Sequence, residues 1–238
     1  MYAGRMLAYA FARRVREVGI RSLWKTARAG PVKVLYIDAG THKGATELNL
    51  VHRWFNHLPQ MRYVGFEANP AYHAEVVGAV PAGVEVVNRA LVGPSHGDTI
   101  SLNLDGKTGE GDSIFDRKFS DRSIQVPATR LSAYLMAIDA SRTVILLRMN
   151  IEGAEVAVLQ DLVALNLVDR IDGFFGAWND IPAIGGHLIG EFSVLKRRHK
   201  LPHLSFNGPD LSSPVRRFCI WYDLNTSILR GSARKACA

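Results

Sequence analysis

Val32–Gly44, VKVLYIDAGTHKG, reads as a buried strand that runs into an acidic, glycine-rich turn and opens a helix. Val34, Leu35, Tyr36 and Ile37 are a short apolar run of strand formers. Asp38 stands at its carboxyl end, and Gly40 and Gly44 complete a D-x-G-x-x-x-G spacing. A strand that hands a glycine turn to a helix is the opening unit of a doubly wound α/β fold, whose ligands sit at the carboxyl ends of its strands. A tight strand-to-helix turn with no ligand is the competing account.

The chemistry of the turn selects among nucleotide-like ligands. A dinucleotide fold uses G-x-G-x-x-G to lay a pyrophosphate on a helix N-terminus. Here the middle glycine is displaced and an acid precedes the turn. A carboxylate repels phosphate and suits an ammonium or a hydroxyl. S-adenosylmethionine (SAM) carries an aminoacyl group and a ribose but no phosphate, so it fits better than NAD. Arg62–Pro70, RYVGFEANP, is a second strand end of this kind: Tyr63–Phe66 leads into Glu67, and Asn69-Pro70 starts a helix. An acid there can accept hydrogen bonds from both ribose hydroxyls, or simply cap the next helix.

At 238 residues and 47% hydrophobic, the chain can bury a substantial core without disulfides, metal or a partner. Cys219 and Cys237 form neither a disulfide framework nor a zinc spacing, and no H-E-x-x-H occurs among the eight histidines, so no metal is expected. The charge is uneven. Residues 1–30 carry +6 and residues 230–238 carry +3, which leaves −2 for residues 31–229. A nucleic-acid reader needs a basic stripe on its folded domain, so the excess does not imply DNA or RNA. The reading is therefore three parts: a basic amphipathic helical segment over 1–30, a catalytic domain over 31–229 and a basic tail over 230–238. Leu7, Phe11, Val15 and Val18 recur at helical spacing in the first part. That helix would dock on the domain or make peripheral contact with an anionic membrane. It has no apolar run long enough to span one, and the expected location is cytoplasmic.

From residue 31 strand and helix signals alternate, which predicts a three-layer α/β domain. Strands are expected at Val34–Asp38, Tyr63–Glu67, Val84–Ala90, Val144–Asn150 and Gly173–Ala177, with helices between them. Thr99–Leu104 and Ile124–Thr129 would form an extra β-hairpin. The runs HLSFN and RFCIWYDL read as closing strands.

Leu147–Glu155, LRMNIEGAE, resembles the K-x-D-x-E-G-A-E signature of the FkbM family of SAM-dependent methyltransferases, which also carries a D-x-G-x-x-x-G turn and an F-E-P/A-x-P second strand. The resemblance implies the class I methyltransferase, Rossmann-like fold: a three-layer sandwich around a seven-stranded, mostly parallel sheet. It implies Gly40 and Gly44 against the methionine part of SAM with Asp38 near its ammonium. Glu67 would hold the ribose, Ala90 and Leu91 would pack on adenine, Asp112 and Ser113 would lie in a G-x-S loop over the adenine side, and Thr41, Ala68, Asn69 and Asn150 would also bind the cofactor.

The chain departs from the signature at two positions, with Arg148 for lysine and Asn150 for aspartate. Arginine keeps the charge. Asparagine removes one, which leaves Asn150 a hydrogen-bonding role and makes Glu152 the better base, with His42 and Asp180 as alternatives. Glu152 could equally be an acid stabilised at a helix N-terminus. Trp178, Asn179 and Asp180, after the fifth strand, could line the acceptor pocket. The expected activity is O-methylation of a sugar, glycan or secondary-metabolite hydroxyl. Its rivals are a non-catalytic SAM-fold binding protein, in which Asn150 marks lost chemistry, and an NAD-linked enzyme. Nothing in the sequence fixes the oligomeric state.

Overall fold

The computed structural model describes residues 32–105, 111–115, 122–177, 181–199 and 204–236. Its strands, in chain order, are β1 (Lys33–Ala39), β2 (Met61–Phe66), β3 (Val84–Val87), β4 (Ala90–Leu91), β5 (Thr99–Asn103), β6 (Ser123–Thr129), β7 (Thr143–Met149), β8 (Ile171–Gly176) and β9 (Leu204–Ser205). Six of them form one sheet in the order β3-β2-β1-β7-β8-β9, with every neighbouring pair parallel. The helices are α1 (Thr46–Phe55), α2 (Pro70–Ala79), α3 (Leu131–Met136), α4 (Glu155–Ala164), α5 (Ile181–Ile184), α6 (Gly186–Arg198) and α7 (Pro214–Ala236).

Strands covered on both faces have no polar side to show to water, so they read as continuous apolar runs. β7 is buried at every position, and β1 at every position after Lys33. On one face Leu35, Ile37, Val64, Ile145 and Leu147 pack with Leu131 and Leu135 of α3, Leu159 and Leu162 of α4 and Phe192 of α6. On the other, Val34, Tyr36, Tyr63, Val144 and Leu146 pack with Leu48, Val51 and Phe55 of α1 and Ile220, Trp221, Leu224 and Ile228 of α7. The three layers are therefore α3/α4/α6, sheet, and α1/α7.

Among the described residues the main sheet has six strands where seven were expected, and a separate sheet of three has the order β4-β6-β5. The hairpin is present, with β5 and β6 antiparallel, and it takes β4 with it. The run read as one strand from Val84 to Ala90 breaks at Asn88, whose side-chain amide donates to the Glu67 and Ala68 carbonyls (2.8 and 3.2 Å) and turns the chain out of the main sheet. β4 then pairs in parallel with β6.

RFCIWYDL is helix rather than strand. An eight-residue window of aromatic and branched residues fits either element. Over 23 residues the buried positions Ile220, Trp221, Leu224, Ile228 and Gly231 mark one face of α7. Residues 230–236, read as a basic tail, are the last turns of this helix. Lys235 donates to the Ala140 carbonyl (2.7 Å), and Lys235 and Arg234 both pair with the buried Asp172 carboxylate of β8 (3.3 and 2.6 Å). Residues 1–31 lie outside the described residues. No described helix is long and apolar enough to cross a membrane.

Candidate functional site

The chain leaves β1 toward β2 and β3, then returns to β7 and proceeds the other way. This reversal opens a crevice at the carboxyl ends of β1 and β7, where open α/β sheets bind ligands. Asp38 lies opposite Arg148 and Ala39 opposite Met149. The Asn150 N–H donates to the Ala39 carbonyl (2.9 Å), which brings the two strand ends so close that a Cβ on Gly40 would stand 2.0 Å from the Asn150 backbone carbonyl oxygen. Only glycine fits there, and its φ of +82° is one other residues rarely adopt.

The turn stays in left-handed backbone at His42, Gly44 and Ala45 (φ +52°, +82° and +45°). Such a conformation costs a non-glycine residue about 1 kcal/mol or more and persists where the surroundings hold it. The end of β2 does the holding. The Phe66 carbonyl accepts from the N–H groups of Gly40 and Thr41 and from the Thr41 hydroxyl, and Glu67 Oε2 accepts from His42 N–H (2.8 Å). The His42 ring meets Tyr72 edge-on, with centroids 5.3 Å apart.

Glu67 Oε1 accepts from Asn69 N–H (2.9 Å), so both carboxylate oxygens are aimed by backbone donors while the side chain is only 7% exposed. Burial pushes its pKa up to about 7, against those two hydrogen bonds, and the charges of Asp112 and Asp38 raise it further. Asn69 caps α2 through its Oδ1, which accepts from Ala71 N–H, while its Nδ2 donates to Asp112 Oδ2 (2.8 Å). The neighbouring Ser113 hydroxyl donates to the Glu152 carbonyl (2.8 Å). Segment 111–115 thus links Asn69, at the start of α2, to the turn after β7.

That second turn is strained as well, with Glu152 at φ +54° and Gly153 at +105°. Glu155, 1% exposed, accepts from the N–H groups of Ile151 and Gly153 (2.7 and 2.8 Å) and so holds the turn in shape. The Asn150 side chain is half-buried and makes no hydrogen bond to the described residues.

Asp38 sits beneath the glycine turn rather than on its surface. It is fully buried, with Oδ1 accepting from Arg148 (2.7 Å) and Oδ2 without a partner among the described residues. Burial raises its pKa to about 6, and Arg148 holds it from rising further. Burial disfavours the Arg148 charge, but Asp38 and Glu47 more than compensate.

Gly40, Thr41, His42, Gly44, Glu67, Ala68, Asn69, Asn150 and Glu152 therefore follow the carboxyl ends of β1, β2 and β7, and Asp112 and Ser113 lie in the segment hydrogen-bonded to two of these turns. Ala90 and Leu91 lie in β4, 3% and 4% exposed, within apolar clusters. Trp178, Asn179 and Asp180 lie outside the described residues. Sequence reasoning gave no role to Glu47, Asn88 or Glu155, and nothing beyond its charge to Arg148. Glu155 was visible as the last letter of E-G-A-E, whereas nothing local marks Glu47 or Asn88. No group of three or more metal-ligating side chains occurs among the described residues.

Searches among curated proteins and among solved structures find no match to the chain. A family model described as the methyltransferase FkbM domain matches residues 38–181, more than half of the sequence and all of the strand ends that form the crevice. The chain belongs to the FkbM methyltransferase domain family.

Proposed function

We propose that this protein is a SAM-dependent methyltransferase that methylates a hydroxyl oxygen on a sugar, glycan or secondary metabolite. The observation that carries the reading is Glu67, a buried carboxylate aimed by two backbone N–H groups beside a glycine turn at the reversal of strand order. Family membership supports methyl transfer; the donor and the oxygen acceptor are our reading.

The residues fit a phosphate-free donor with a ribose and an ammonium. Glu67 keeps lone pairs for a ribose diol. A Cβ on Gly44 would meet only Thr46 Oγ1, at 4.0 Å, so a ligand can come close to the backbone there. Asp38 Oδ2 is a buried acceptor with no described hydrogen-bond partner, the kind of atom an ammonium would satisfy.

When bound, SAM supplies an electrophilic methyl carbon on a sulfonium whose thioether leaves readily. The chain must align the acceptor oxygen and take up one proton. Glu152 takes the hydroxyl proton on its carboxylate, in a turn that Ser113 and Glu155 keep in place. The Asn150 amide, able both to donate and to accept, orients the acceptor. His42, in the glycine turn, is the second basic side chain.

Calorimetry with SAM, S-adenosylhomocysteine (SAH) and NAD tests the donor; binding of NAD with none of SAH would defeat the reading. Glu152→Gln is expected to lower turnover roughly 10²–10⁴-fold with SAH affinity unchanged. Full activity in that variant would dismiss the base. Tight SAH binding without methyl transfer to any of a broad set of hydroxyl acceptors would favour a non-catalytic binding protein instead.

A further inference from the structure

We propose that Arg148 is a positioning residue for the cofactor turn: it fixes the Gly40 carbonyl and the Asp38 carboxylate, and it ties both to the chain that follows β9. The inference rests on reading the crevice as a SAM site. The guanidinium is 2% exposed and divides its donors among four elements. Nη1 donates to Asp38 Oδ1 at the end of β1 (2.7 Å) and to the Gly40 carbonyl in the turn (3.1 Å). Nη2 donates to Glu47 Oε1 in the first turn of α1 (2.9 Å), and Nε to the Phe206 carbonyl just past β9 (3.0 Å).

Gly40 is consequently held from both sides, through its N–H by the Phe66 carbonyl and through its carbonyl by Arg148. Phe206 is held from both sides too, since its N–H donates to the Gly176 carbonyl at the end of β8 (3.0 Å). One planar fork thus sets the relative positions of the glycine turn, the start of α1 and the segment leading to α7.

Packing alone does not account for three buried charges here. Apolar side chains of similar volume would cost less to bury than a buried Asp-Arg-Glu trio. What the trio supplies is direction. Arginine presents its donors in a rigid plane, whereas a lysine ammonium concentrates them at one point and cannot serve four acceptors that surround it. The arginine that replaces the lysine of the family signature is therefore a change of geometry and not only a retained charge.

The test uses two variants of the full chain. Arg148→Lys keeps the charge and removes the fork. Arg148→Met combined with Asp38→Asn and Glu47→Gln removes the fork without leaving a buried charge unpaired; because it also removes the Asp38 carboxylate, it is read by hydrogen exchange alone. SAH binding is measured by calorimetry, and backbone hydrogen exchange is followed without ligand. In Arg148→Lys, SAH affinity is expected to fall roughly 10–100-fold, as for a displacement on the order of 1 Å. Exchange at residues 40–45 should accelerate while the β2 amides remain protected. Unchanged SAH affinity with unchanged exchange in the turn would overturn the proposal, as would exchange that accelerates evenly across the sheet, the mark of a merely structural role. Absence of SAH binding by the unaltered chain would defeat the cofactor reading by itself. The exchange pattern would still decide whether Arg148 orders the turn.

Discussion

Acidification is the sharpest perturbation of the crevice, because one carboxyl in it is already poised to take a proton. Burial carries Glu67 from the ordinary 4.5 to about 7. On the scale of 1.36 kcal/mol per pKa unit, that displacement favours the protonated form in the folded chain by about 3 kcal/mol. Since the folded value lies above the ordinary one, the stability this group contributes is complete below pH 4.5 and is lost as pH rises through about 7. A ribose diol acts in the opposite direction, because its hydroxyls donate to the carboxylate and so favour the ionised form. The dissociation constant of SAH should be level above about pH 8 and rise about tenfold per pH unit below about 7, with close to one proton released on binding near pH 6. Calorimetry in two buffers of different ionisation enthalpy reads both quantities. Glu67→Gln should flatten the profile between about pH 6.5 and 8 and weaken binding at the upper end by about 1.5–3 kcal/mol. Asp38, which burial raises to about 6, titrates below that window. A level profile in the unaltered chain, or the same slope in Glu67→Gln, would refute the assignment of Glu67 to the ligand.

Two further outcomes test the scaffold. Gly40→Ala would bring a methyl group to 2.0 Å from the Asn150 backbone carbonyl oxygen in a left-handed backbone; it should cost about 3 kcal/mol or more in denaturant unfolding and abolish SAH binding, and an unchanged unfolding midpoint would contradict the packing described. Lys235→Met should destabilise by about 2 kcal/mol, because it removes a nearly buried ammonium from Asp172 and Ala140. Arg234→Met, at a side chain 58% exposed, should cost under about 1 kcal/mol, and equal losses from the two would show that the end of α7 is not docked as described.

The parts of the site that could be read in the sequence are those whose chemistry is local. Asp38, Gly40 and Gly44 announce a turn, and Glu67-Ala68-Asn69-Pro70 a strand end and a helix start, because each depends on neighbours a few residues away. The split of Val84–Leu91 between two sheets was not legible, since it turns on the Asn88 amide reaching carbonyls about 20 positions earlier. α7 was misread because its aromatic-rich window satisfies strand and helix alike until the full helix is counted. The ion pair beneath the turn was not legible either, since Asp38 meets an arginine 110 residues away that no local pattern could announce.

Those separations also bear on the order in which the molecule can be completed. Arg148 reaches partners 110, 108 and 101 positions before it and 58 after it. During synthesis β1, β2 and β3 emerge first, but β1 has no neighbour on its other edge until β7 has been made, and Asp38 and Glu47 have no countercharge. Closing such long loops must precede the contacts that reward it, so pairings of this kind form late. An N-terminal fragment ending before Thr143 would leave an unpaired strand edge above two uncompensated carboxylates, the sort of surface through which partly made chains associate. The glycine turn, among the first parts of the domain to be synthesised, is among the last to take its final shape.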